Sequence, residues 1–251
     1  MKPDKLPINQ IINSTYQDYL KNIPDKSVDV LFTDPPYNQN IKEHNGSTAD
    51  WDKDFNFTEW LNMILPKVRD TGIILIFNTN ESIANIIRPY ILDYDQNDAN
   101  YEIVPLVEWR KTNPRSNLIN IRKSEYILVA YNNAQDNPHV YDEHFYEATN
   151  GTFFQSANEL GIFQGQPNKN GKKHPTSKPI RLLVKLINHF TLPDDIILDT
   201  FSGSGSIPLA AWYTHHNYLA CEMDPEYQKE SVQRLKEVKH DIPRTVFLFE
   251  T

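Results

Sequence analysis

Residues 28–38 read VDVLFTDPPYN, an apolar run that ends in a carboxylate, two prolines and an aromatic ring. A plain turn has no use for the second proline or the tyrosine. Pro35 and Pro36 stiffen the turn and remove two amide donors, so nothing local consumes its acceptors. Those acceptors are the Asp34 carboxylate and the Pro35 backbone carbonyl, and one reaction needs such a pair. The exocyclic amino group of a nucleobase is a poor nucleophile, because its lone pair is delocalised into the ring. Acceptors on both amino hydrogens make the nitrogen more tetrahedral and aim the lone pair at a methyl donor. Tyr37 adds a ring on which a base taken out of its stack can rest.

The donor is implied further along. Residues 196–208 read IILDTFSGSGSIP: an apolar strand ending in Asp199, then Gly203 and Gly205, then a helical stretch. Glycines in such a turn let the backbone approach a ligand closely, although alone they are shared by many nucleotide folds. The spacing is not the GxxxxGK[ST] of a phosphate-binding loop, and no lysine follows it. About twenty residues on, as in dinucleotide folds, the run Tyr218–Cys221 ends in Glu222, with Met223 and Asp224 after it. An acid at the end of the next strand takes the hydroxyls of a cofactor ribose. The cofactor then contains adenosine, and is either NAD or S-adenosylmethionine. Hydride transfer needs neither paired acceptors nor a stacking plate, so the Asp34 segment selects S-adenosylmethionine.

Short apolar segments supply the frame for these residues. Strands are expected at Val28–Thr33, Gly72–Phe77, Ile103–Trp109, Glu125–Tyr131, Asp195–Leu198 and Tyr218–Cys221. Helical patterns lie between many of them. Phe57–Val68 has Trp60, Leu61, Ile64, Leu65 and Val68 at helical spacing, with Pro66 expected to kink or shorten it. Lys178–Phe190 starts with Pro179 after Thr176 and Ser177, and carries Ile180, Leu183, Val184 and Ile187 on one face. Asp224-Pro225 is a cap and first residue for a helix Glu226–Val238. This alternation predicts an α/β fold with a mostly parallel sheet and helices on both faces. Ligands bind such sheets at the carboxyl ends of the strands, where Asp34 falls. Residues 38–56 read as a polar loop, and 132–173 shows no sustained period; loops this long carry function or are disordered.

The 251 residues suit one domain with a sizeable core. No apolar run spans a bilayer, the N-terminus lacks a secretion signal, and the single cysteine, Cys221, suits a reducing cytoplasm. The net charge of −8 argues against nucleic acid, but its distribution argues for it. Arg110–Lys123 and Lys169–Lys185 contain no acid and hold eleven of the 25 lysines and arginines. A basic cleft on an acidic body is one reading and chance clustering on a solvated face the other. The eight histidines and one cysteine show no metal-ligand spacing, so no metal is expected.

Three motifs now carry a resemblance. Asp34-Pro35-Pro36-Tyr37 matches the catalytic motif of amino-methyltransferases acting on nucleic acid. Phe201-Ser202-Gly203-Ser204-Gly205 looks like their S-adenosylmethionine loop. His174-Pro175-Thr176-Ser177-Lys178-Pro179 resembles the preceding segment, which helps hold the methionine end of the cofactor. With the catalytic motif first and the cofactor loop last, nearly the whole chain is similar to the β group of DNA amino-methyltransferases. The resemblance implies a Rossmann-like S-adenosylmethionine-dependent methyltransferase fold with circularly permuted motif order, over 1–251 as a single domain. It makes about 132–172 a short target-recognition insert. His174, Thr176 and Lys178 are implied to bind the cofactor, with Asp34, Asp199, Phe201, Ser202, Gly203, Ser204, Gly205, Ser206, Glu222, Met223 and Asp224. Departures from the family are Thr200 for Pro, Ser206 for Thr, and Ser14-Thr15 where Gly-Asp gives a carboxylate facing adenine. The Thr15 hydroxyl in that place weakens cofactor binding by about 1.5–3 kcal/mol. Trp51 resembles a signature of adenine-type relatives, with packing under its loop the equal alternative. Lys111 and Asn113, with Arg115 beside them, follow a strand at the same edge, as substrate or phosphate contacts or as a structural loop; Tyr37 and Asn38 complete the substrate side.

The expected activity is transfer of a methyl group to adenine N6 in DNA, duplex or single-stranded. Cytosine N4 is the runner-up; relatives acting on cytosine more often have Ser at the Asp34 position. A non-catalytic methyltransferase-like subunit is a rival of another class, to which only Ser14-Thr15 points. A dinucleotide oxidoreductase is a third, for which nothing supplies hydride chemistry. A prokaryotic or phage-encoded cytoplasmic protein is implied. Relatives often pair, and a short insert makes a homodimer useful; a cognate restriction endonuclease is left open.

Overall fold

In the computed structural model the residues described are 6–38, 54–94, 101–104, 107–111, 124–132, 138–139, 153–156 and 177–241. Strands β1 (Gln10–Asn13), β2 (Val28–Thr33), β3 (Val68–Asn78), β4 (Tyr101–Ile103), β5 (Val107–Lys111), β6 (Ser124–Asn132), β7 (Phe153–Ser156), β8 (Ile196–Asp199) and β9 (Asn217–Glu222) form one sheet. Its order is β1-β9-β8-β2-β3-β6-β5-β7, with β4 also on β6. The run from β1 to β3 is parallel. The direction reverses at β6, which is antiparallel to β3, β4 and β5, while β7 runs parallel to β5. The expected mostly parallel Rossmann-like sheet is present, with an antiparallel strand on one side.

Burial on both faces explains the unbroken apolar strands. Val30 and Phe32 join Ile73, Leu75 and Phe77 in one core. Leu31 joins Ile74 and Ile76 in the other. Helices α5 (Ile180–Phe190), α6 (Ser206–Tyr213) and α7 (Pro225–Asp241) cover the first face, and α6 is buried all round. Helices α1 (Tyr16–Leu20) and α2 (Phe57–Ile64) cover the second. They are joined there by a helical stretch made of α3 (Asn80–Ser82), a π turn Ile83–Ile87 and α4 (Arg88–Asp93). Among the described residues no helix is long and apolar enough to cross a membrane.

Four details differ from the sequence expectation. The helix expected over Phe57–Val68 stops at Ile64; Leu65–Lys67 is a 3₁₀ turn around Pro66, and Val68 already begins β3. The strand expected over Ile103–Trp109 is two strands, β4 and β5, separated by a stretch that includes Pro105, which has no N–H for a ladder. β1 and β7 were unmarked, because QIIN and FFQS are too short to show a period. The π-containing stretch was likewise unmarked. The loop expected over 38–56 and the insert over 132–172 lie mostly outside the described residues.

Candidate active site

The chain leaves β8 toward β9 on one side, and leaves β2 toward β3 on the other. The carboxyl ends of β8 and β2 are therefore the switch point, where a doubly wound sheet opens a crevice for ligand. Asp199 ends β8 and Asp34 follows β2, so the two sequence motifs meet there although 165 positions apart. Thr33 Oγ1 donates to Asp199 Oδ1 at 2.8 Å and ties the two strand ends together.

The glycine turn is built from backbone bonds and one acid. Asp199 Oδ1 also accepts from Phe201 N at 3.1 Å, and Ser202 N donates to the Cys221 carbonyl at 3.0 Å. Gly203 N donates to Glu222 Oε2 at 2.7 Å, and Asp224 N to Glu222 Oε1 at 2.9 Å. The acid at the end of β9 is thus aimed by the loop it serves. Gly205 takes φ of 74° as it opens α6, a left-handed value that favours glycine. Thr200 Oγ1 accepts from the Trp60 indole N–H at 3.2 Å, a bond the family's proline would not allow. Phe201 packs against Tyr16, Phe55 and Trp60 at centroid distances of 5.6, 5.3 and 5.8 Å.

Beside this turn the segment leading into α5 arrives. Ser177, Ser204 and Ser206 bring their hydroxyls to within 2.9–3.1 Å of one another. Arg234 of α7 donates to the Ser204 carbonyl at 3.0 Å and to Ser206 Oγ at 3.2 Å. Asp199 Oδ2 and Ser202 Oγ are buried without a hydrogen-bond partner among the described residues. Hydroxyls backed by a guanidinium suit a carboxylate, and acids with spare lone pairs suit an ammonium and ribose hydroxyls. The residues present therefore fit S-adenosylmethionine, which carries all three.

Asp34 sits in a buried cluster of charge. Its Oδ1 accepts from the Tyr37 hydroxyl at 2.7 Å, and its Oδ2 from Lys178 Nζ at 2.5 Å. Lys178 Nζ also meets Glu125 Oε2 at 3.1 Å, and the Tyr37 hydroxyl is 3.5 Å from that oxygen. Burial raises the Asp34 carboxyl above its ordinary value, Lys178 works against that, and Glu125 adds to it. For Lys178 burial works to lower the ammonium, but the two carboxylates outweigh it and hold it above the usual lysine range. The Tyr37 phenol is pushed up by burial and both acids, so it stays a hydrogen-bond donor. Burial raises Asp199 to about 7, and Glu222 rises for the same first reason.

The other expected residues fall as follows. Ser14 N donates to the Glu222 carbonyl at 3.0 Å, and Thr15 caps α1 with its hydroxyl, so the Ser14-Thr15 pair lies beside Glu222. Met223 is exposed at that edge. Asn38 closes its amide on the backbone of Phe55, at 3.0 and 2.7 Å, and so clasps the far end of the loop it begins. Lys178, expected at the cofactor, places its Nζ on Asp34 and Glu125. Only the backbone of Lys111 is described, at the end of β5. Trp51, Asn113, Arg115, His174 and Thr176 lie outside the described residues. Glu125, Arg234 and Asn13, whose amide donates to the carbonyls of Glu222 and Met223, went unmarked in the sequence. None of the three belongs to a motif; each reaches the site from a remote strand or helix.

The mixed, mostly parallel sheet with its glycine turn at the switch point is the fold of a Rossmann-like S-adenosylmethionine-dependent methyltransferase. The sequence model of the N6/N4 DNA methylase family matches residues 28–233, most of the chain, and the protein belongs to that family of S-adenosylmethionine-dependent DNA methyltransferases. It is similar to Type II methyltransferase M2.MboI of Moraxella bovis, 29% identical over 239 residues that cover 88% of this chain and 85% of that protein. It is 28% identical to Type II methyltransferase M.HinfI of Haemophilus influenzae, covering 92% of this chain and 69% of the other. Among solved structures, the M1.HpyAVI–SAM complex superposes with a TM-score of 0.61 at 26% identity, over 90% of this chain and 98% of that one. The PvuII DNA methyltransferase, which is cytosine-N4-specific, superposes with a TM-score of 0.66 at 17% identity, over 94% and 90%, a likeness of fold.

Proposed function

We propose that this enzyme methylates the N6 amino group of adenine in DNA. The observation that carries the reading is a carboxylate, Asp34, at the switch point beside the glycine turn, in a turn whose two prolines bring no N–H to compete for its acceptors. S-adenosylmethionine supplies the methyl group, carried on a sulfonium sulfur. Asp34 and the Pro35 carbonyl accept the two amino hydrogens of a base flipped against Tyr37. The incoming amino group takes Asp34 Oδ1 from the Tyr37 hydroxyl that holds it at 2.7 Å. Asp34 need not be a strong base: the amino proton becomes acidic only as the N–C bond forms, so positioning and electrostatics dominate.

A carboxylate rather than a serine at position 34 favours adenine over cytosine, by the family pattern. Lys111 ends β5, and Lys178 precedes α5, at the same edge of the sheet as Asp34. The acid-free basic run of sequence Arg110–Lys123, which begins within β5, supports DNA as the partner. Pairing into a homodimer would add reading surface to a short insert, and the Type II names of the relatives favour a restriction–modification setting.

Digestion of treated DNA to nucleosides, read by mass spectrometry, tests the base: N6-methyladenine is expected, and N4-methylcytosine would overturn the assignment. For the mechanism, Asp34→Ala is expected to bind S-adenosylmethionine in calorimetry, while methyl transfer falls by roughly 10²–10³-fold, as when one preorganised hydrogen-bonding group is removed. Full activity in that variant would remove Asp34 from the reaction.

A further inference from the structure

Lys178 lends one positive charge to two acids that reach it from different strands. Asp34 Oδ2 lies 2.5 Å from its Nζ and Glu125 Oε2 lies 3.1 Å from it. The ammonium is 7% exposed in its side chain and each carboxylate 18%, so solvent screens the trio weakly. Nζ also lies 5.1 Å from the Phe77 ring centroid and 5.4 Å from that of Tyr37, a low-dielectric setting that faces a cation. Burying ionised groups this way is costly unless each is paired, which argues that the charges have a task.

We propose that Lys178 and Glu125 are positioning residues for methyl transfer: Lys178 holds Asp34 Oδ2 so that Oδ1 faces the substrate, and Glu125 withholds part of the lysine's charge, keeping Asp34 a strong acceptor. The proposal rests on the reading of Asp34 as the amino acceptor. A carboxylate neutralised by a dedicated ammonium accepts weakly, whereas one left alone in a buried site takes up a proton. Sharing one cation between two acids lies between these limits. Glu125 has a second use, because its Oε2 is 3.5 Å from the Tyr37 hydroxyl. That hydroxyl has an acceptor to turn to when the base amino group claims Asp34 Oδ1.

Among the described residues, the charged and titratable groups acting on Asp34 are Tyr37 from its own turn, Lys178 ahead of α5, and Glu125 from β6, with Asp199 of β8 coupled to it as well. β3 presents the uncharged Phe77 ring to the lysine. The signs of the two positioning residues are opposite, and that makes the test. Single-turnover methyl transfer to DNA is followed against pH with saturating cofactor. Lys178→Met is expected to move the acid limb up by about 1–3 pH units, the effect of an opposite charge at this distance. Glu125→Gln is expected to move the limb down and to lower the plateau rate, while cofactor affinity by calorimetry stays within about twofold, well under 1 kcal/mol. Glu125→Asp, which keeps the charge, is expected to restore a limb near the wild-type position.

Limbs that stay in place, or that move the same way in both variants, overturn the proposal, as does a Glu125→Gln enzyme at the wild-type plateau. If Lys178→Met does not fold, the downward shift in Glu125→Gln decides alone. Wild-type protein that transfers no methyl to DNA at any pH instead overturns the functional reading beneath it.

Discussion

Asp199 ends β8 with one carboxylate oxygen bonded to Thr33 and Phe201, and the other buried without a partner among the described residues. Burial raises its carboxyl from an ordinary 3.8 to about 7. The folded protein then holds this proton more tightly than the unfolded chain does. The stability from that difference is fully present below about 4 and is lost as pH rises through about 7. Asp199→Asn is neutral at every pH and keeps an acceptor for Thr33 and Phe201. Its Tm without cofactor is expected to exceed wild type at pH 8, and the gap should shrink as pH falls through 7 toward 4. Differential scanning calorimetry across that range checks the sign; a gap that widens in acid would refute the burial account. At this scale the sequence was legible where a motif names the residue, as with Asp34, Gly203 and Glu222. It was silent at Glu125 and Arg234, whose types are common and whose neighbours in sequence say nothing of where they point.

At the level of elements, the glycine turn depends on α7, a helix that begins 20 residues after Gly205, beyond α6 and β9. A Cβ placed on Gly205 would come within 2.9 Å of Ser231 Cβ in α7 and 3.4 Å of Ile11 Cδ1 in β1. The same glycine holds a left-handed φ, which costs other residues about 1–3 kcal/mol. Gly205→Ala is therefore expected to lower unfolding free energy by about that amount, and to weaken S-adenosylmethionine binding because Ser204 and Ser206 shift with it. Urea titration and calorimetry read the two effects; unchanged cofactor affinity would detach the turn from the site. Helix starts were legible from local chemistry, since caps and first-turn prolines act within a few residues. The start of β3 at Val68 was not. Phe57–Val68 has helical spacing throughout, and Pro66 together with β2 as a partner converts its last residue to strand.

The whole molecule places its single thiol, Cys221, in β9 beside the glycine turn, with Sγ donating to the Thr200 carbonyl at 3.4 Å. Burial and two neighbouring acids push that thiol well above its ordinary value, so the folded protein presents no thiolate. Alkylation at pH 8 then requires opening of the sheet around β9. Cofactor at about 100 times its Kd stabilises the closed state by about 2.7 kcal/mol and is expected to slow labelling roughly 100-fold. Mass spectrometry of iodoacetamide-treated protein, with and without S-adenosylmethionine, measures the ratio; equal rates would place the cofactor away from β8 and β9.

Residue order alone determined the family and the fold class. The turn residues of DPPYN, the glycines after Asp199 and the acid of β9 act through local backbone geometry, which a short stretch of chain specifies by itself. The central strands were legible as well, because burial on two faces demands unbroken apolar runs, whereas β1, β7 and the start of β3 were not. What tertiary structure decided is which groups face Asp34. Lys178 comes from a motif assigned to the cofactor and Glu125 from a strand with no motif at all, 91 positions along the chain. Electrostatic pairing is set by distance in space and by burial, and neither can be read from spacing along a chain that folds β2, β6 and α5 to one edge.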